Sequence, residues 1–464
     1  MQRCQRILNM NARFILRAGA LSLSLLASGV MAAVTPQEAA QLGTTLTPLG
    51  AQKEGNANGS IPAWTGGLKP GAAPLDNGFL GDPFAGEKPE VVITAANAEQ
   101  YKDKLTPGQL AMFKRYPDSY KIPVYKTHRT AASPQNIYDI ARKSAVTTEL
   151  TPDGNGLLNF AQTRYYPFPI PKNGVEVYWN HTNRYRGGNM ERQAAQAAPQ
   201  TNGSYSIVEY DDKLAFPQLM EGVEAGQGDN VLYYYKQEIT APSRMAGSVI
   251  LIHETIDQVK EPRLAWVYNA GQRRVRRAPQ VAYDGPGNGS DGMRTADNTD
   301  MMNGAPDRYD WKLVGKKELL IPYNNYRLQS PKLKYDDIIK PGHINQDLTR
   351  YELHRVWHVE ATLKPGQRHV YAKRDMYFDE DTWQLAEVDH YDGRGQLWRV
   401  AEGYALNDYE RGASNFAMLG IYDLIAGRYN VLAMTNEAKH ATTYGMTAKM
   451  TDFTPSALRN AGIR

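Results

Sequence analysis

The chain has 464 residues, with 53 Lys+Arg against 49 Asp+Glu, 42% apolar residues and a single Cys. That balance excludes a disordered polymer and leaves room for a sizeable core. Four of the basic residues, Arg3, Arg6, Arg13 and Arg17, lie at the N-terminus. The remaining 49 basic residues equal the 49 acidic ones, and a neutral body excludes a dedicated nucleic-acid binder, which needs a positive field to meet phosphates.

The arginines of the first 17 residues precede an apolar run, Ala18 to Val30, and then small residues around Ala32 and Ala33. This is the pattern of a cleavable signal peptide over 1–33. The apolar run is too short to span a bilayer. Cys4 precedes the run, so cleavage leaves a mature chain without cysteine; disulfides, thiolate catalysis and Cys-based metal sites are excluded from it. The expected location is the periplasm, with the chain possessing no membrane span of its own.

A wrapping segment with short helices is expected over 34–200. Thr35-Pro36-Gln37-Glu38 reads as a helix cap with Pro at the first position. The Gly/Pro/Asn-rich stretch from Thr44 to Phe84 is expected to lie over the body, pinned by Ile61, Trp64 and Leu68. Apolar steps predict a helix from Ala95 to Tyr116, restarted at Thr106-Pro107, and another from Ser133-Pro134 to Ala145.

From 201 to 441 the texture is that of strands. Ser204–Tyr210, Asn230–Thr240, Ser248–Val259, Leu264–Tyr268 and Arg273–Ala278 are rich in β-branched and aromatic residues. Trp311–Pro322, Tyr351–Leu363, Val370–Phe378, Gln384–Tyr391 and Leu397–Asn407 continue the series. Short links such as Asn269-Ala270-Gly271 and Asp392-Gly393-Arg394-Gly395 demand antiparallel neighbours. The expected fold is mainly β with a few helices (α+β). It is one large antiparallel curved sheet of roughly ten strands, forming an incomplete barrel around helices. An irregular insert at 283–310 carries Asp291, Asp297, Asp300, Asp307 and Asp310 and reads as a solvated loop, with a calcium loop as the alternative. The tail from 442 to 464 returns to loops and a short helix.

No phosphate loop, nucleophile elbow or H-E-x-x-H motif is present. His354 and His358 would share one strand face, too far apart to hold one ion. No catalytic residues, metal site or cofactor are expected, and the chain reads as no enzyme. The run Arg273, Arg274, Arg276 and Arg277 fits either a solvated edge strand or a patch for an anionic head group or an acidic partner. Candidate positions lining an apolar hollow are Leu251, Trp266, Tyr268, Trp357, Val359, Trp398 and Val400.

Several motifs together resemble one known family. These are Leu42-Gly43-Thr44, Leu49-Gly50-Ala51, Gly55-Asn56 and the run Gly59 to Gly67; Trp266-Val267-Tyr268 followed by Arg273 to Pro279; Gly304 to Trp311; and Asp452-Phe453-Thr454-Pro455 with Leu458-Arg459. They are similar to the domain of unknown function 1329 family, grouped with LolA/LolB-like periplasmic proteins. The resemblance implies an incomplete barrel with an apolar cavity for acyl chains, and as partners an RND-type inner-membrane exporter and an outer-membrane β-barrel protein. The resulting expectation is a carrier of lipids or other hydrophobic small molecules between the two membranes. A structural adaptor without a cargo cavity and an envelope hydrolase are the other readings.

Overall fold

The computed structural model describes residues 33–461 apart from Gln162, Ala225, Gln227, Pro279, Gln280 and Ala282. The expected signal peptide and Cys4 lie outside the described residues. Local signals read from the N-terminal third are realised. Thr35 caps a short helix, Pro36–Ala39, and exchanges hydrogen bonds with Glu38. The Ala95–Tyr116 pattern divides where Thr106-Pro107 predicts, into a 3-10 turn, Ala98–Lys104, and helix α1, Pro107–Arg115. Helix α2 is Gln135–Thr147.

The Gly/Pro-rich stretch is docked along the body. Ile61 is buried, and the indole Nε1 of Trp64 donates to Ala131 O at 2.8 Å. The indole Nε1 of Trp383, in a strand-to-strand turn of the body, donates back to Leu49 O at 2.8 Å. Gly50 beside it has φ +97°, and a Cβ there would sit 1.8 Å from Pro169 O. Gly50→Ala combines left-handed strain with a clash against fixed backbone and should cost about 2–4 kcal/mol. Urea-denaturation midpoints of the two proteins check this; equal midpoints would mean that the segment is not fixed to the body.

Helix α3, Gly174–Thr182, gave no periodic signal, and the structure shows why. Almost all of its residues are buried, so no polar face exists to reveal a helical period. Asn173 caps it through a bond from Glu176 N at 3.0 Å.

Among the described residues the body is a sheet of 16 strands. Its longer members are β1 (Met190–Ala197), β2 (Ile207–Ala215), β3 (Val231–Ala241), β4 (Val249–Thr255), β5 (Leu264–Asn269) and β6 (Arg274–Arg277). They continue with β7 (Tyr309–Pro322), β8 (Tyr351–Leu363), β9 (Lys373–Asp379), β10 (Leu385–Tyr391), β11 (Leu397–Asp408), β12 (Ala413–Asp423) and β13 (Arg428–Met434). In space β8 to β13 run in order, followed by β1 to β6, with β7 beside β8. The sheet is therefore two antiparallel meanders laid side by side, where the sequence predicted one. It is mixed, because Tyr351 of β8 also meets the short strand Ile122–Val124 in parallel. Among the described residues it does not close: β6 ends one edge, paired only with β5.

The seam between the meanders is β13 against β1. Regular pairing holds at only two positions, Val431 with Ala197 and Met434 with Ala195. Ala433 lies between them with φ +65°. Strand β1 reads MERQAAQA, poor in β-branched and aromatic residues, so nothing local marks it as a strand.

Both faces of the sheet are covered. On the inner face of the β8–β12 half, Ile137 and Ala141 of α2 and Val177 and Tyr178 of α3 pack against Val359, Met376, Phe378 and Ala401. On the outer face, Met112 and Phe113 of α1 meet Val400, Tyr404 and Tyr422. The outer face of β3–β5 is covered by Phe453 and by Leu458 of helix α4, Ala457–Ala461. The inner face of β1–β4 is roofed by the 283–310 insert.

That insert corrects the expectation of a solvated loop. Ser290, Asp297, Asn298, Met301 and Met302 are all buried. Asp297 meets Arg374 Nη2 at 2.6 Å and His369 Nε2 at 3.1 Å. Arg374 and Arg428 of the sheet answer Asp297 and Asp291, and Arg184 and Arg186 after α3 answer Asp300, so the insert is a packed roof.

Candidate functional site

Between the β1–β4 floor and the insert lies a cavity of about 280 Å³, near the lower end of the roughly 300–1,000 Å³ of small-molecule sites. Strict strand alternation builds its floor. Register aligns Met190, Leu214, Tyr235 and Ile252 in one row across four strands. The next row holds Arg192, Asp212, Gln237 and Ile250. Leu419 of β12 and Leu432 of β13 extend the wall across the seam, and Arg294 and Asn303 of the insert close it from above.

The cavity is apolar in rows and charged between them. Arg192 meets the fully buried Asp212 at 2.8 Å, and Tyr235 Oη donates to the same carboxylate at 3.1 Å. Arg263 meets Glu254 at 2.8 Å and also donates to Asn303 O at 2.8 Å. Asp300 is held by Arg184 Nη2 at 2.6 Å and Arg186 Nη2 at 2.7 Å. Burial pushes the Asp300 carboxyl up, but the two guanidiniums overcome it and hold it well below the usual carboxylate range. Burial also pushes the neighbouring His181 imidazole down to about 3. His181 Nδ1 accepts from Leu385 N at 3.1 Å, so Nε2 carries the proton and donates to Asp300 O at 2.8 Å.

Outside the cavity, His354, Asp379 and Asp381 bring ligand atoms within 4.8 Å of one another. Arg129 grips Asp381 with Nε at 2.9 Å and Nη2 at 2.7 Å, so a guanidinium already supplies the positive charge there. His358 turns instead to Asp375 at 2.9 Å.

A family model described as "Protein of unknown function (DUF1329)" matches residues 92–459. The chain is 62% identical to "Uncharacterized protein PA3922" of Pseudomonas aeruginosa over 97% of its own length and 99% of that protein. The chain belongs to the DUF1329 family. Among solved structures, a DUF1329 family protein from Desulfovibrio piger aligns with TM-score 0.41 and 15% identity, covering 58% of this chain and 91% of that one. A LolA superfamily protein from Nitrosomonas europaea aligns with TM-score 0.36 and 13% identity, covering 61% and 98%.

In this DUF1329 chain none of the seven candidate residues lines the cavity. Leu251, Trp266 and Tyr268 point to the outer face, where Phe453 and Leu458 cover them. The cavity face of β4 carries their neighbours Ile250 and Ile252, so the choice of face is off by one residue. Trp357 and Val359 do face inward, but α3 fills the space above them. Val400 lies on the outer face under α1. Trp398 packs on Tyr371 at 5.6 Å and donates to Asp423 at 2.9 Å. The patch of Arg273, Arg274, Arg276 and Arg277 lies exposed on and just before the edge strand β6, away from the cavity.

Sequence reasoning missed the apolar lining of Met190, Leu214, Ile250 and Ile252 and also the polar residues Arg184, Arg186, Arg192, Tyr210 and Arg294. A usable signal existed. An uncovered cluster of arginines from 184 to 192 and an Asp-rich insert are complementary in charge, and each is costly to bury without the other.

Proposed function

We propose that this DUF1329 protein is a carrier that holds one small hydrophobic or amphipathic molecule in the cavity beneath the 283–310 insert. The observation that supports the reading is the hollow itself. The rest of the inner face is filled by α2 and α3, whereas the β1–β4 floor is left with about 280 Å³ open. Burying alkyl surface there is favourable by about 0.8 kcal/mol per CH₂, enough to hold a short chain without covalent chemistry. No described helix is long and apolar enough to cross a membrane. The reading places the carrier between the inner and outer membranes, serving an RND-type exporter and an outer-membrane β-barrel.

Native mass spectrometry of protein purified from its own envelope tests this. A bound small molecule is expected, released on denaturation. Ile252→Trp, which projects an indole into the hollow, should abolish the extra mass while leaving a cooperative melt. Protein that is always empty, and takes up no fluorescent fatty acid, would favour an adaptor instead. For that second reading the exposed arginines of edge strand β6 are the feature that fits an acidic partner.

A further inference from the structure

We propose that the guest is an amphipath with an oxyanion head, carboxylate or phosphate, and that Arg294 receives that head. This rests on the carrier reading and deepens it. Five arginines reach the cavity: Arg184, Arg186, Arg192, Arg263 and Arg294. Three carboxylates answer them. Asp300 takes Arg184 and Arg186, Asp212 takes Arg192, and Glu254 takes Arg263. The site is left with two positive charges more than negative ones, and Arg294 is the arginine with no acid among the described residues.

Arg294 is also short of hydrogen bonds. Its Nη2 donates to Asn288 O at a long 3.3 Å, and its buried Nε has no partner among the described residues. Gln196 Nε2 donates to the same carbonyl at the shorter 3.0 Å. The ionisable groups bearing on Arg294 are the phenols of Tyr210 and Tyr235, both neutral at pH 7. A guanidinium stays charged at every physiological pH and offers five donors in a planar fork. Set in a half-closed apolar wall, it leaves a field and a donor set that an oxyanion from outside completes, while no neutral molecule does.

The arginine is carried on a braced turn. Pro286 and Thr295 form an antiparallel bridge, Gly287 N donates to Arg294 O at 3.0 Å, and Ser290 Oγ donates to Gly287 O at 2.7 Å. A Cβ on Gly287 would come within 2.8 Å of Arg294 Cζ and Nη1. Glycine there lets the backbone lie against the guanidinium and hold it over the hollow. The apolar row of Met190, Leu214 and Ile252 beneath offers the bed for a chain.

The test uses the mature chain and four probes below their aggregation limits: decanoate, decyl phosphate, decanol and inorganic phosphate, titrated by calorimetry. At least one charged amphipath should bind about tenfold or more tightly than decanol, as a charge-assisted hydrogen bond requires. Arg294→Gln should erase that preference, weakening the charged amphipath about tenfold more than decanol, whereas Arg294→Lys, keeping the charge without the fork, should retain part of it. A thermal melt confirms that each variant is folded. Decanol bound as tightly as the acids, or an unchanged preference in Arg294→Gln, would overturn the head-group proposal and leave the carrier standing. Inorganic phosphate bound as tightly as decyl phosphate would mean an anion site without a chain and overturn the amphipath. Failure of all four probes overturns this inference together with the carrier reading.

Discussion

Asp300→Asn is expected to lower the unfolding free energy by about 3–5 kcal/mol, the usual cost of removing one partner from a buried ion network. The carboxylate spans Arg184, whose side chain is 2% exposed, and Arg186, at 14%. An asparagine amide would turn an NH₂ toward one of these donors and leave two guanidiniums uncompensated. His181 loses a negative neighbour at 3.5 Å as well. The same residue fastens the insert to the region after α3, so the cavity roof loosens with it. Chemical denaturation at pH 7 reads the stability loss, and a destabilisation under 1 kcal/mol would disprove the network's role. The pH dependence supplies an internal control. Asp300 is depressed in the folded state, so its contribution is complete above the unfolded carboxylate value near 4 and fades as pH falls through the lower folded value. The gap between wild type and variant should therefore narrow in acid.

Asp389→Asn is expected to act in the opposite direction, raising stability at pH 9 by about 1–3 kcal/mol, the cost of a buried charge left without a countercharge. Asp389 of β10 lies under the start of α1, accepting from Gly108 N at 3.1 Å, and Glu387 beside it accepts from Thr106 Oγ1. Burial pushes Asp389 up to about 8 and carries Glu387 well above its ordinary value, with Asp389 adding to the latter. A carboxyl whose folded value is raised binds its proton more tightly when folded. Stability is then highest below the unfolded value near 4 and declines as pH rises through about 8. Asparagine keeps the acceptor for Gly108 and never ionises, so the variant should match wild type near pH 4 and exceed it at pH 9. Urea midpoints across that range decide it; parallel curves would show that Asp389 is already ionised in the fold.

Much of the fold was legible because its determinants are local. Thr35-Pro36 and Thr106-Pro107 announce helix starts within four residues, and the alternation of Leu353 to Leu363 marks β8 as a strand. What escaped has non-local causes. β1 lacks β-forming side chains and is a strand because β2 and β13 flank it; Asn430 Nδ2 reaches Ala197 O at 3.0 Å from 233 residues away. The site escaped for a related reason. Apolar residues were assigned to the hollow, whereas Leu251 and Tyr268 are needed on the outside to seat Phe453 and Leu458, and the hollow received Arg192, Gln237 and Arg294. Alternation divides a strand into two sets of side chains; which set is the lining depends on what arrives from elsewhere in the chain.

The narrow seam between β13 and β1 has a consequence for biogenesis. A ribosome releases Met190–Ala197 long before Arg428–Met434, so during synthesis one edge of β1 has no partner. Exposed edges invite association with other chains, and contacts so distant along the polymer form slowly. The binding floor is thus among the last parts of the molecule to be completed, and a nascent chain stopped short of residue 428 would own most of the sheet but no finished vessel.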